Sequence, residues 1–259
     1  MNLWLATLPF WSGFVIFVGV GLAISLVGLL IVNAYFPQID LIANNLVGGF
    51  KFAFLAQVYS ALLAFVLIEA GHRYATESAL VSSEATTLLY LDRAVAATAG
   101  TQAEAFRRNL RVYARLVVSR EWAAMAEGDD SPEASQAFLA LFSSYVAIRP
   151  EEGGAEQANL SLPSQLLLNA MDKRVSRING ASETLAPIIW AVTFIGTAIS
   201  IAFNWFFGSR TLLTQLVMAA LLSGSILAIL FLSMSLSHPF VGDLRISPAP
   251  FEALYAPSP

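Results

Sequence analysis

Four apolar stretches of membrane-crossing length punctuate the sequence, and between the second and the third the pattern changes from uniform apolarity to helical periodicity. A helix that crosses a bilayer needs about 20 mostly apolar residues. Trp11 to Val32 qualifies, bracketed by Trp11 on one side and by Tyr35 and Phe36 on the other, as interfacial aromatics bracket a span. Gly48 to Ala70 is the second stretch, with Lys51 near one end and Glu69 near the other. Pro187 to Phe207 is the third, its proline at a first-turn position where a missing N–H costs nothing. Thr211 to Leu236 is the fourth, and the turn "GSR" before it is so short that the last two must form a hairpin.

From Gly71 to Leu185 no alternating strand pattern occurs. Tyr74, Val81, Leu88 and Val95 recur every seven residues, which predicts that the second span continues beyond the membrane as one long helix. "TQAE", Thr101 to Glu104, reads as a capping box opening the next helix, with Phe106, Leu110, Tyr113 and Val117 as its apolar stripe and Gly128 as its end. "DDSPE" restarts the chain with Ser131 as N-cap and Pro132 in the first helical position. That helix is expected to bury Phe138, Leu141, Phe142 and Tyr145 and to stop at Pro150. "EEGGAEQ" reads as a mobile loop, and a last helix of the region runs from about Pro163 to Gly180. The fold class is therefore all-α: a polytopic membrane protein with four transmembrane helices and a helical cytoplasmic insert between the second and third. The expected organisation is residues 1–70 for the first two spans, 71–185 for the insert, 186–237 for the hairpin and 238–259 for a tail.

Charge supports the insert's placement. Of the 14 Lys and Arg residues, Lys51, Arg210 and Arg245 lie outside residues 71–185, leaving 11 within, and Asn33 to Val47 has none. By the positive-inside rule the middle region is cytoplasmic, with Arg73, Lys173, Arg174 and Arg177 close enough to the spans to count. Four spans then put both termini on the cytoplasmic side. The first apolar run is too long for a signal-peptide core and lacks a basic start, so it is read as retained. Apolar residues make up 57 % of the chain and charged ones 12 %, half the usual share. The net charge of −4 argues against a nucleic-acid partner, which needs a concentrated basic face.

Candidate chemistry is sparse. There is no cysteine, and His72 and His238 are the only histidines, so a metal site is not expected. G-x-S-x-G, a phosphate loop and G-x-G-x-x-G are all absent, so the chain is not expected to be an enzyme or to hold a cofactor. Lys51 and Glu69, 18 residues apart, lie on one helix face about 27 Å apart in rise, with Val58, Leu62 and Phe65 between them and Phe54 close by. Ionisable residues at membrane depth face a bundle interior or an aqueous path, or else snorkel to opposite interfaces. Gly21 and Ser25, Gly196 and Ser200, and Ala220, Gly224 and Ala228 have the four-residue spacing that lets helix backbones approach closely. At the other end of the fourth span Pro239 cannot continue the hydrogen-bond ladder, so "HPF" ends the helix.

Several segments, in this order, resemble the bestrophin-like family of bacterial membrane proteins: "GFKFAFLAQVYSALLAFV", "SSEATTLLYLDR" with Glu84, "YARLVVSREWAAMAEGD" with Glu121 and Trp122, "RVSRINGA" and "HPFVGDLRISPAPF". The resemblance covers nearly the whole chain. It implies a distant similarity to bestrophins, anion channels with four spans per subunit in a pentameric ring, whose second span lines an apolar neck. By position that neck falls on the row Phe54, Val58 and Leu62, spaced by four, with Phe65 as a further pore-lining residue and Lys51 and Glu69 as charges at the pore mouths. The partners implied are the lipid bilayer, further copies of the chain and small inorganic anions, and the location is the cell inner membrane. The tail, with Phe240, Leu244, Ile246 and Phe251 as anchors, is implied to be a family feature. The sequence departs from bestrophins in the acidic calcium-binding cluster, since "EGDDSPE" lies elsewhere, and calcium gating is not implied.

Two functions of different class remain open at this point. One is an oligomeric channel for small anions. The other is a non-conducting membrane scaffold or accessory subunit whose cytoplasmic bundle docks a partner through Glu121, Trp122, Phe240 and Phe251.

Overall fold

The structure, a computed structural model, describes residues 9–36, 38–98, 103–148 and 161–255. Among these every regular element is helical: α1 (Phe10–Tyr35), α2 (Gln38–Thr98), α3 (Ala103–Leu116), a π-helical turn (Val117–Glu121), α4 (Trp122–Glu127), α5 (Pro132–Val146), α6 (Ser161–Ser182), α7 (Pro187–Asn204), α8 (Leu212–Leu236) and α9 (Ala249–Glu252). Four helical stretches, holding α1, α2, α7 and α8, are long and apolar enough to cross a membrane. The chain divides into two compact units, Met1–Tyr74 with Leu185–Leu244, and Ala75–Thr184 with Arg245–Pro259.

In the first unit α1 packs along α8. Phe10, Phe14 and Phe17 surround the buried ring of Phe231 at 5.5, 5.7 and 5.7 Å. Further along, Ser25 Oγ and Ser223 Oγ share a 2.7 Å hydrogen bond, and the Asn33 amide donates to Gln215 Oε1 at 3.1 Å. Such paired polar groups tie helices together where lipid offers them no partner. Small residues carry the close approaches. A Cβ on Gly21 would stand 2.6 Å from Leu227 Cδ1, one on Gly28 2.3 Å from the Trp205 ring, and one on Gly196 2.5 Å from the Tyr59 ring. Gly224 differs: its Cβ would make an ordinary 3.7 Å contact with Leu22.

Two boundaries depart from the sequence expectation. Residues Asn33 to Val47 do not form a loop throughout, because α1 runs on to Tyr35 and α2 starts at Gln38, ten residues before Gly48. Leu41 is buried, and the Asn45 amide grips Gly208, accepting from its N–H at 3.0 Å and donating to its carbonyl at 2.9 Å. Those contacts hold the extra turns, and the Gly48–Gly49 pair does not break them. At the far end α8 stops at Leu236, the end expected for the fourth span, with the Ser237 N–H closing on Ser233 O. The tail is also not one piece: residues up to Leu244 belong with the spans, where Asp243 Oδ2 accepts the Phe10 N–H at 2.8 Å, and Arg245 onward belongs with the second unit.

In the second unit α3 packs against α5, burying Phe106, Leu110 and Tyr113 of one against Ala134, Phe138 and Leu141 of the other. Gly128 ends α4 in the left-handed region at φ +87°, and its N–H bonds Met125 O. Ser131 Oγ caps α5 by accepting the Ala134 N–H at 3.3 Å, with Pro132 in the first turn. Phe142, expected inside, is at the surface: the buried row runs 134, 137, 138, 141 and leaves position 142 at its edge. The predicted capping box at Thr101, the stop at Pro150 and the "EEGGAEQ" segment lie outside the described residues.

Candidate functional site

Two features carry the chemistry of this chain: the outward face of α2 in the first unit and a buried ion network in the second.

On α2 the inner side is set by Leu41, Tyr59, Leu63, Val66 and Ala70, all buried. Tyr59 hydrogen-bonds the Thr197 hydroxyl and reaches the Thr193 carbonyl at 3.2 Å, fastening α2 to α7. The opposite side is apolar and bare among the described residues. Phe54 is 75 % exposed, Val58 56 % and Phe65 57 %, while Leu62, expected in the same row, is half-buried at its edge. Leu46, Phe50 and Ile68 are as exposed as Phe54 and extend the face in both directions, giving the helical series 46, 50, 54, 58, 65, 68. A span starting at Gly48 excludes Leu46, and a row starting at Phe54 leaves out Phe50, although the four-residue recurrence through Phe54 and Val58 points back to both. Lys51 is exposed near the start of this face and Glu69 half-buried near its end.

The second unit contains a fully internal cluster of two carboxylates and two guanidinium groups. Glu84 comes from α2, Glu121 from the π-helical turn, and Arg174 and Arg177 from one face of α6. Arg177 grips Glu84 with both Nε–Oε2 at 2.7 Å and Nη2–Oε1 at 3.2 Å, and its Nη2 also donates to Glu121 Oε1 at 2.7 Å. Arg174 donates to the other oxygen of Glu121 and to Ser135 Oγ at 3.0 Å. The Tyr113 hydroxyl completes the set by donating to Glu84 Oε1 at 2.7 Å. Aromatic faces enclose the cations: Arg177 lies 5.5 Å from the Trp122 ring and 5.3 Å from Phe251, and Arg174 lies 5.7 Å from Phe138.

The charges cancel, two against two. Burial opposes the Arg177 cation, but Glu84, Tyr113 and Glu121 outweigh it and hold its pKa above the ordinary value. Burial, reinforced by the Glu84 carboxylate, raises the Tyr113 hydroxyl well above its usual range. The cluster is a fastening between helices, and among the described residues no group of three metal-ligating side chains forms. The π-helical turn belongs to it: one extra residue per turn brings Glu121 and Trp122 inward together.

This placement corrects one expectation. Glu121, Trp122, Phe240 and Phe251 do not form an exposed docking surface, since all four are buried within the chain. The Trp122 indole N–H donates to the Ile246 carbonyl at 3.0 Å and its ring meets Phe251 edge-on at 5.8 Å. Glu121 was read as surface because carboxylates usually are; its partner on α6 is 53 residues away. A signal existed. Arg174 and Arg177 occupy the same helical stripe as the buried Leu167, Ala170 and Gly180, a spacing that places them inward.

The comparisons with known proteins agree with this architecture. The pattern of a Bestrophin-like domain matches residues 19–251. Among solved structures, a point variant of a bacterial bestrophin homologue from Klebsiella pneumoniae superposes with a TM-score of 0.71 at 13 % identity, over 92 % of this chain and 97 % of that one. A second variant of that homologue gives 0.69 at 13 % identity, over 92 % and 96 %. A point variant described only as a membrane protein gives 0.67 at 14 % identity, over 93 % and 96 %. At these identities the likeness is one of fold. No curated protein matches the sequence.

Proposed function

The chain belongs to the Bestrophin-like family, and on that premise we propose that it is one subunit of an oligomeric ion channel that passes small anions through a pore lined by α2. The observation that carries this reading is the bare apolar face of α2, which has no cover among the described residues although it continues for more than twenty residues. In a ring of copies, five by resemblance, Phe54, Val58 and Phe65, with Leu62 beside them, line a dry neck. A hydrated ion entering such a neck finds no group to replace its water, so the collar gates by wetting and dewetting. Lys51 stands at the outer mouth and raises the local concentration of anions, and Glu69 marks the inner mouth. On this reading residues 71–185, both termini and the final stretch of the tail lie on the cytoplasmic side of the inner membrane.

The scaffold alternative loses its principal support, because the residues expected to dock a partner are packed inside. The mass of the detergent-solubilised complex tests the proposal. Five copies of the 27.9 kDa chain are expected. A monomer contradicts it, since a pore lined by α2 needs further copies of that helix around the axis.

A further inference from the structure

Beside the outward face of α2 lies a cleft of about 200 Å³, lined by Asn44, Val47, Gly48 and Lys51 of α2 and by Phe203, Phe206 and Phe207 at the end of α7. Its wall is rigid. Phe52 stacks on Phe203 at 5.6 Å and meets Phe207 edge-on at 5.4 Å, while Phe203 and Phe207 lie 5.9 Å apart. The turn carrying these rings is held by Asn45 on Gly208 and by Gln215 Nε2, which donates to the Phe207 carbonyl at 2.6 Å. Gly48 forms the floor: a Cβ there would reach the Phe207 ring at 3.5 Å, an ordinary contact, and any longer side chain would occupy the cleft.

The polar lining consists of a cation and an amide. Neither the Lys51 ammonium nor the Asn44 side chain has a hydrogen-bond or ion-pair partner among the described residues, and no carboxylate lines the space. An aromatic wall with an unpaired ammonium at its rim complements a flat apolar body that carries one negative charge. A cavity of about 150 Å³ accepts a benzene ring, so this one has room for a ring with a small substituent. We propose that the cleft binds small aromatic monocarboxylates, with the ring against Phe203 and Phe207 and the carboxylate on Lys51. The site is independent of whether the chain conducts.

Titration of the purified, detergent-solubilised protein with sodium benzoate, followed by saturation-transfer NMR, tests this. Saturable binding of one benzoate per chain is expected. Benzyl alcohol, with the same ring and no charge, should bind about fivefold more weakly, the value of one partly exposed charge pair. Lys51→Gln should weaken benzoate about fivefold and leave benzyl alcohol unchanged. Gly48→Leu should abolish both, with the elution volume of the complex as the check that the fold is retained. Absence of saturable benzoate binding, or equal affinity in wild type and Lys51→Gln, overturns the proposal. So does octanoate displacing benzoate at a lower concentration than benzoate itself needs, because the cleft would then select an acyl chain. The oligomer mass does not enter this outcome, so failure here leaves the channel reading standing.

Discussion

Arg177 on α6 holds Glu84 on α2 by two parallel hydrogen bonds, 2.7 and 3.2 Å long, across 93 residues of sequence and with neither side chain reaching solvent. A bidentate pair fixes both distance and orientation. Because Arg177 also donates to Glu121, removing it leaves two buried carboxylates short of their main cation. Arg177→Ala should cost about 3–5 kcal/mol, the range for breaking a buried ion pair from one side. A thermal melt in detergent is the check, and a melting temperature within a degree of wild type would contradict the role given to the pair.

Tyr113 makes a pH-dependent contribution whose sign follows from its raised pKa. The folded state keeps the phenol protonated to higher pH than the unfolded chain does. Stability from this group is therefore fully present below the unfolded value near 10 and is lost as pH rises through the folded one. Tyr113→Phe should cost about 2 kcal/mol near neutral pH, as loss of a hydrogen bond to a charged acceptor. The gap between the two proteins should stay constant from pH 7 to 9 and narrow above about 10. A gap that widens above pH 10 would contradict the assignment.

The glycines of the first unit are not equivalent. Gly28→Ala forces the Trp205 ring to move and should cost about 1–3 kcal/mol, as overpacking does. Gly224→Ala meets only an ordinary contact and should stay within about 0.5 kcal/mol of wild type. Parallel melts of the two variants decide this, and equal losses would contradict the packing described.

Truncation after Leu244 removes Ile246, whose carbonyl accepts from Trp122, and Phe251, which is fully buried against Arg177. Phe251→Ala alone should cost about 3–5 kcal/mol, and the truncated chain should give less monodisperse protein. Undiminished yield and melting temperature for both would show that the last residues are dispensable.

Most of the fold is legible in the sequence because it rests on local signals. The heptad Tyr74, Val81, Leu88, Val95 carries α2 without a break to Thr98, and Ser131-Pro132 starts α5 where the capping signal lies. Two kinds of information are not local. The start of α2 at Gln38 depends on Asn45 reaching Gly208, 163 residues away, which no window of sequence displays. The interior position of Glu121 depends on a π-helical turn and on arginines from α6, so a residue with surface chemistry ended up in the core. The α2 row at Phe54, Val58 and Phe65 is apolar by sequence and exposed in the structure, and Leu62 is half-buried at its margin.

Single-channel recording of the purified protein in planar bilayers tests the central proposal most directly. Val58 is exposed in the row proposed as the collar, and Leu62 is half-buried beside it. Wetting the collar with Val58→Ser should therefore raise conductance over wild type, and Leu62→Ser should raise it less. Lys51→Glu should shift the reversal potential in a salt gradient away from anion preference, because it inverts the field at the outer mouth. Silence of wild type and all three variants, from protein that elutes as an intact oligomer, would contradict a pore lined by α2.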